Sequence, residues 1–269
     1  MSVELVFIFI LLGAFVGVMA GLLGIGGGGI LVPVLTSIFI YQGVPKDHVV
    51  HLALGTSMAC IAVTSFASMR AHHANGVVIW ALAKVMALGM IVGTFSATFL
   101  AAYLSSKALA VIFTIFMAYV SYQMFRNGVV RQVHVQPSNA ELRLVTFGIG
   151  AISALVSIGG GSLTVPYLTW RSTDIKRAIG TSAALGFPIA IAGTLGYLIN
   201  GLLSEALIEA KLAHTIGYVY WPAALLVSIP SYFTAPTGAR LTQRLPVKTL
   251  KKLFGVLLML LSLKMLFSI

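Results

Sequence analysis

The chain has 269 residues, of which 59% are hydrophobic and only 9% charged, with a mean hydropathy of +1.01. A soluble domain carries about 25% charged residues, so no polar shell can cover this chain, and it reads as an integral membrane protein. Its net charge of +11 then concerns topology and anionic lipid headgroups, not nucleic acid.

The apolar runs are continuous and do not alternate, which excludes a transmembrane β-barrel and predicts an all-α fold. The first run, residues 3–23, has no Lys or Arg before it. It is therefore expected to remain as a membrane span, since a cleaved signal peptide needs a positive leading region. Four glycines at 26–29 separate it from a second run at 30–41, and spans follow at 49–69, 77–103 and 108–125. The stretch 126–143, RNGVVRQVHVQPSNAELR, is the longest polar segment. It predicts a cytoplasmic connector, 127–143, between a first membrane unit, 1–126, and a second, 144–269. The second unit offers runs at 144–158, 163–170, 178–199, 215–239 and 250–267. Crossing takes about 20 apolar residues, so 30–41 and 163–170 are too short to cross alone. Short, glycine-interrupted segments at matching places in two halves point to a transporter binding site.

The two halves match in order. Gly26, Gly27, Gly28, Gly29 and Pro33 align with Gly159, Gly160, Gly161, Ser162 and Pro166. Leu54-Gly-Thr-Ser57 aligns with Ile179-Gly-Thr-Ser182, and Trp80–Phe125 lies without gaps on Trp221–Leu266, with Trp80/Trp221 and Lys107/Lys248 coinciding. This is a duplicated unit. If each broken segment is a hairpin that enters and leaves on one side, each half makes an odd number of crossings and the halves are inverted. If each is one long broken helix, the halves are parallel. The positive-inside rule decides between them. The hairpin reading gathers Arg70, Lys84, Arg126, Arg131, Arg143, Arg171, Lys176, Arg177, Arg240, Arg244, Lys248, Lys251 and Lys252 on one face. It leaves Lys46, Lys107, Lys211 and Lys264 on the other, whereas the single-crossing reading splits them about evenly. The expectation is two inverted repeats, each a hairpin plus three transmembrane helices, with both termini outside.

Lipid offers a backbone no hydrogen bonds, so non-helical chain at membrane depth must be buried in protein or face water. The helix that follows each glycine cluster starts with unpartnered N–H groups at the positive end of its dipole. Such an end takes anions, and glycine lets the backbone come close to them. Isolated glycines such as Gly13 and Gly17 are better read as allowing helices to pack closely.

IGGGGILVPVL and IGGGSLTVPYL, each followed by a GTS, resemble the signature of the sulfite exporter TauE/SafE family of membrane permeases over nearly the whole chain. The resemblance implies transport of sulfite or a small organosulfonate across a bacterial inner membrane. It also implies substrate contacts at Gly26–Gly29 with Pro33 and at Gly159–Ser162 with Pro166. Ser162, in place of a fourth glycine, offers a hydroxyl to an oxyanion. Thr56, Ser57, Thr181 and Ser182 stand near the starts of the spans that follow and offer further hydroxyls.

Other polar residues read as structural. Lys84 lies close to the cytoplasmic end of its span and snorkels. His51, His72 and His73 read as interfacial polar groups, adjacent histidines pointing different ways on a helix. Trp80, Trp170, Trp221, Tyr218 and Tyr220 read as membrane-interface anchors, and Asn200 as a cap. Pro188, Pro222, Pro230 and Pro236 predict more kinked helices in the second half. The lone Cys60 forms no intrachain disulfide and no cysteine metal site. Six carboxylates at loop ends supply no acid–base pair, and neither glycine cluster leads into a Gly-Lys-Ser/Thr phosphate loop. Neither an enzyme nor a cofactor is expected. The expected partners are a small sulfur-containing anion and membrane lipids, with protons as a coupling ion to be tested; oligomeric state is open. The competing reading is a membrane assembly subunit whose glycines pack helices against a partner. A cation carrier fits less well, because no span has a central Asp or Glu.

Overall fold

The computed structural model describes residues 2–24, 26–125, 138–210, 212–244 and 247–268, apart from the side chains of 243–244 and 247–254. Most of the expected connector therefore lies outside the described residues, as do Lys211 and the side chains of Arg126, Arg131, Arg244, Lys248, Lys251 and Lys252. In chain order the helices are α1 (Val3–Leu23), α2 (Gly28–Tyr41), α3 (Lys46–Ala74), α4 (Trp80–Tyr103) and α5 (Ser106–Phe125). The second half continues with α6 (Asn139–Val156), α7 (Gly161–Trp170), α8 (Ile175–Leu203) and a single turn α9 (Glu205–Glu209). Two short strands, β1 (Thr215–Ile216) and β2 (Val219–Tyr220), pair antiparallel before α10 (Trp221–Arg244) and α11 (Val247–Ser268). Among the described residues, six helices (α1, α3, α4, α5, α6 and α8) are long and apolar enough to cross a membrane. This is an all-α multi-pass membrane protein.

Contacts between the halves come in exchangeable pairs. α1 runs alongside α10 in the same direction, Gly13 against Val227, Gly17 against Ser231 and Gly21 against Ala235. α4 runs alongside α6 in the same direction, Gly89 against Arg143 and Gly93 against Phe147. α3 and α8 cross in opposite directions, Gly55 against Tyr197, Met58 against Gly193 and Ser65 against Gly186. α5 and α11 are also antiparallel, the Thr114 hydroxyl donating to Ser262 O at 3.3 Å and that of Ser121 to Gly255 O at 2.8 Å. The glycines let backbones touch. A Cβ on Gly17 would stand 2.1 Å from Thr234 Oγ1, one on Gly21 2.0 Å from Ala235 O, and one on Gly93 2.1 Å from Phe147 O. In lipid, where apolar surface is not driven together by water, such approach is the main source of helix association.

Several boundaries differ from the sequence expectation. α3 and α8 have 29 residues each, about 43 Å of helix at 1.5 Å per residue, against a hydrocarbon core of about 30 Å. Their polar ends stay helical beyond the apolar run. The apolar stretch before Trp221 is not helix. It folds as the β1–β2 turn because protein, not lipid, covers it: Tyr218 N–H donates to Tyr197 O at 3.3 Å, and Tyr218 and Tyr220 are buried. Asn200 does not cap its helix. It lies within α8, donating to Gly196 O at 2.8 Å and to the Thr98 hydroxyl on α4 at 3.4 Å. His51 and His72 are buried rather than interfacial, because each finds a backbone carbonyl on another helix, Ala101 O and Gly21 O, both at 3.0 Å. His73 is exposed and accepts from Trp80 Nε1 at 3.1 Å.

Substitution at the close crossings should cost far more than at open positions. Gly93→Leu is expected to lower the unfolding temperature in detergent sharply, because overpacking costs about 1–3 kcal/mol or more. Gly148 lies in the same helix pair with nothing within 4 Å of its Cβ position. Gly148→Ala should leave the unfolding temperature unchanged or raise it slightly, by the helix propensity of alanine.

Candidate functional site

The site begins with how each half breaks its first helix. α1 ends at Gly24 in the left-handed region, φ +68°, its N–H bonding Ala20 O at 2.9 Å. Gly27 then caps α2 with φ +83°, and its carbonyl accepts the first bonds of the new helix, from Ile30 and Leu31 N–H, both at 3.1 Å. In the second half Ser157 takes the place of Gly24 and Gly160 the place of Gly27, φ +76°. The Gly160 carbonyl accepts from Leu163 N–H at 3.2 Å and Thr164 N–H at 2.8 Å. Gly28 and Gly29, and Gly161 and Ser162, are thus the first residues of their helices. Pro33 and Pro166 sit inside α2 and α7, where each withholds a donor from the carbonyl four residues earlier, Gly29 O and Ser162 O.

Both short helices turn back the way the chain came. A Cβ on Gly27 would lie 2.3 Å from the Val16 side chain, and the Phe39 ring near the end of α2 packs edge-on against Tyr220, 5.5 Å between centroids, next to the start of α10. Since α1 runs parallel to α10, α2 ends at the level where α1 begins. In the second half the ion pair of Arg171, just past α7, with Glu141, in the first turn of α6, closes the hairpin directly. The Arg171 guanidinium also covers the Trp170 ring, 4.8 Å from its centroid.

The two breaks meet. A Cβ on Gly26 would stand 3.0 Å from Gly159 Cα and 3.0 Å from an Ile61 methyl, and one on Gly28 would fall 1.6 Å from Ser157 O. A Cβ on Gly186 would lie 3.2 Å from Gly159 O. Ile61 and Gly186 are equivalent positions in α3 and α8, so the tips share the point where those two long helices cross. Serines clamp the junction crosswise: Ser157 Oγ donates to Leu54 O on α3 at 3.1 Å, and Ser182 Oγ donates to Gly24 O at 3.3 Å.

Of the fourteen residues the sequence singled out, Gly26 and Gly28 lie against Gly159 and its neighbour Ser157 at this junction, with Ser182 bonded to its edge; Gly27 packs on Val16, Gly29 on Leu258 and Met117, and Gly160 on Ile189. Pro33 and Pro166 lie a turn and more behind the tips. Thr56 and Thr181 perform matched backbone tasks. Thr56 Oγ1 accepts from Tyr220 N–H at 2.9 Å, at the entry to α10, and Thr181 Oγ1 accepts from Ile79 N–H at 3.0 Å, at the entry to α4. Ser57 Oγ is buried without a hydrogen-bond partner, and so are Ser162 Oγ and Thr164 Oγ1. Among the described residues the N–H groups of Gly161 and Ser162 also lack an acceptor. The tips themselves, 26–29 and 159–161, are buried, with Ser162 partly exposed.

Ser157 and Thr164 were not singled out from sequence. Ser157 was findable, because it stands where the aligned first half has Gly24, yet holds a left-handed φ of +47° that costs a non-glycine residue about 1–2 kcal/mol. Thr164 aligns with Leu31, and nothing in its neighbours marks it.

A helical membrane protein whose two glycine-rich helix breaks lie against each other is thereby defined. The chain belongs to the sulfite exporter TauE/SafE family, which it matches over residues 9–265. It is 35% identical over 258 residues to a probable membrane transporter protein of Haemophilus influenzae, covering 95% of this chain and 96% of that relative. It is 29% identical to a probable membrane transporter protein of Methanocaldococcus jannaschii, covering 96% and 94%. A third probable membrane transporter protein, from Bacillus subtilis, is 23% identical over 97% of each chain. No solved structure matches the chain significantly.

The threonine bonds make a direct prediction. Thr56→Val keeps the shape but strands the Tyr220 N–H, and an unsatisfied buried donor costs about 1–3 kcal/mol. The unfolding temperature should fall for Thr56→Val and hold for Thr56→Ser; equal values for all three proteins would contradict the assignment.

Proposed function

We propose that this chain is a secondary permease moving sulfite or a small organosulfonate across a bacterial inner membrane. Two inverted repeats form it, and the anion binds at mid-membrane between the two glycine tips. The observation that carries the reading is the meeting of two helix N-termini at the crossing of α3 and α8. Those helices bear the same Gly-Thr-Ser motif and run in opposite directions, as inverted repeats require. An anion there is held by the amides of Gly28, Gly29, Gly161 and Ser162 and by the hydroxyls of Ser57, Ser162 and Thr164. No buried Lys or Arg is needed at the tips, since paired dipole ends and backbone amides form the cage. Thr56, Thr181 and Ser182 hold the surrounding helices in register.

The helix directions also support a sidedness. Arg70, Lys84, Arg143, Arg171, Lys176, Arg177 and Arg240 fall at one end of the bundle, while Lys46, Lys107, Lys264, Glu4, Asp47, Glu205 and Glu209 fall at the other. The first end is cytoplasmic by the positive-inside rule, with both termini on the opposite side. Burial of the tips corresponds to a closed state, which rocking of one repeat against the other opens in turn to either side.

Flux into reconstituted vesicles tests the reading, with sulfite, sulfonates and sulfate compared with and without a pH gradient. Gly160→Leu should abolish flux. Ser162→Ala and Thr164→Val, which remove only a hydroxyl, should raise KM about tenfold each while leaving the unfolding temperature near wild type. A hydrogen bond to a charged group is worth about 1.5–3 kcal/mol, and 1.4 kcal/mol is tenfold in affinity. Wild-type flux from all three variants would overturn the tip site. Flux insensitive to the protein, with a second component co-purifying, would favour an assembly subunit.

A further inference from the structure

A cavity of about 430 Å³ lies between the last two turns of α3 and the stretch of α10 that carries Tyr232, Pro236 and Arg240. Ala67, Ala71 and Ala74 form its α3 wall and leave it room, while Arg70, Tyr232 and Arg240 line it with their polar groups, beside Asn75. Arg70 Nη1 donates to the Tyr232 hydroxyl at 3.2 Å, and the guanidinium carbon stands 5.9 Å from the Phe66 ring centroid. Among the described residues, none of the chain's six carboxylates pairs with Arg70 or Arg240. Both arginines are exposed beside the cavity and have no carboxylate partner among the described residues, and a guanidinium fork matches the geometry of an oxyanion.

The duplicated fold supplies an internal control. α8 packs on α4 as α3 packs on α10, and in the repeat alignment Leu195 stands for Arg70, Ile91 for Tyr232, Phe95 for Pro236 and Phe99 for Arg240. The helix pair therefore forms without these polar groups. Topology alone asks for basic residues near helix ends; it does not ask for two arginines, a phenol and a carboxamide around one hollow. Asn75 keeps its identity in the counterpart Asn200, but that side chain is spent on Gly196 O and Thr98.

We propose that this cavity is a second oxyanion site, at the positively charged end of the bundle and roughly 13 Å along α3 from Ile61 at the tips. It takes a sulfate-, sulfite- or phosphate-type group, carried by a free solute or by an anionic lipid headgroup. Arg70 and Arg240 bind the oxygens, and Tyr232 fixes the Arg70 fork.

Purified full-length protein in neutral detergent is titrated with sulfate, sulfite and phosphatidylglycerol, and followed by calorimetry and native mass spectrometry. The wild type is expected to bind at least one of these probes saturably. The Arg70→Gln/Arg240→Gln double variant should weaken that binding at least tenfold, and Tyr232→Phe several-fold. Saturation by free sulfate or sulfite assigns the site to solute, and saturation by phosphatidylglycerol alone assigns it to lipid; both support the site. If the double variant fails to fold, Ala71→Leu, which fills the hollow, should abolish binding in its place. Equal affinity in wild type and variants, or binding of no probe by the wild type, overturns the proposal. Gly160→Leu, expected to lose flux, should keep this binding. Binding that falls with Gly160→Leu but not with the arginine variants would leave the tip site standing and remove this one.

Discussion

At the middle of a bilayer a backbone amide has only protein, a ligand or enclosed water to bond with, and the proposed site follows from how this chain places the amides it frees. Each half breaks its first helix and starts another, shorter one. The broken ends are then enclosed by the two longest helices, α3 and α8, at the point where they cross. Glycine at 28 is required there by contact, a Cβ falling 1.6 Å from Ser157 O, and Gly26 holds a left-handed φ of +77° with Gly159 Cα 3.0 Å from its Cβ position. Ser157 and Ser182 close the junction by bonding carbonyls of the opposite half. Among the described residues, the Gly161 and Ser162 N–H groups and the Ser57, Ser162 and Thr164 hydroxyls remain without a hydrogen-bond partner, and these are the donors the proposed anion would use.

The rest of the bundle holds that junction in position. α1 with α10 and α4 with α6 form two close-packed pairs between the first and second halves of the chain. Thr56 and Thr181 secure the entries to α10 and α4 with the same bond made twice. Outward faces stay apolar, with Phe7, Leu11, Phe233 and Leu260 each more than 60% exposed, a surface suited to lipid and not to water.

Much of this was legible in the chain itself. The duplicated glycine–proline breaks, the shortness of the helices after them and the packing role of Gly13 and Gly17 all follow from backbone needs that composition reveals directly. The basic residues mark helix ends whatever their tertiary neighbours, and the proposed sidedness rests on them alone. What sequence did not reveal depends on partners distant in the chain. His72 looks interfacial until Gly21 O, on α1, is seen to accept from it. Residues 215–220 look like span, yet Tyr218 and Tyr220 are buried against α8 and α3. The arginine-lined cavity is invisible in sequence, since Arg70 and Arg240 each resemble an ordinary helix-end charge until α3 and α10 are set side by side.

The central claim is that main-chain amides of two opposed helix starts hold an anion between them. Selenite shares the pyramidal shape and charge of sulfite and adds an anomalous scatterer, so crystals grown with it locate the ligand by the selenium signal alone. A selenium peak at the α3–α8 crossing, within hydrogen-bond reach of the Gly161 and Ser162 amides, is the expected result. Selenium only elsewhere in the bundle, with the two tips packed on each other and empty, would contradict it.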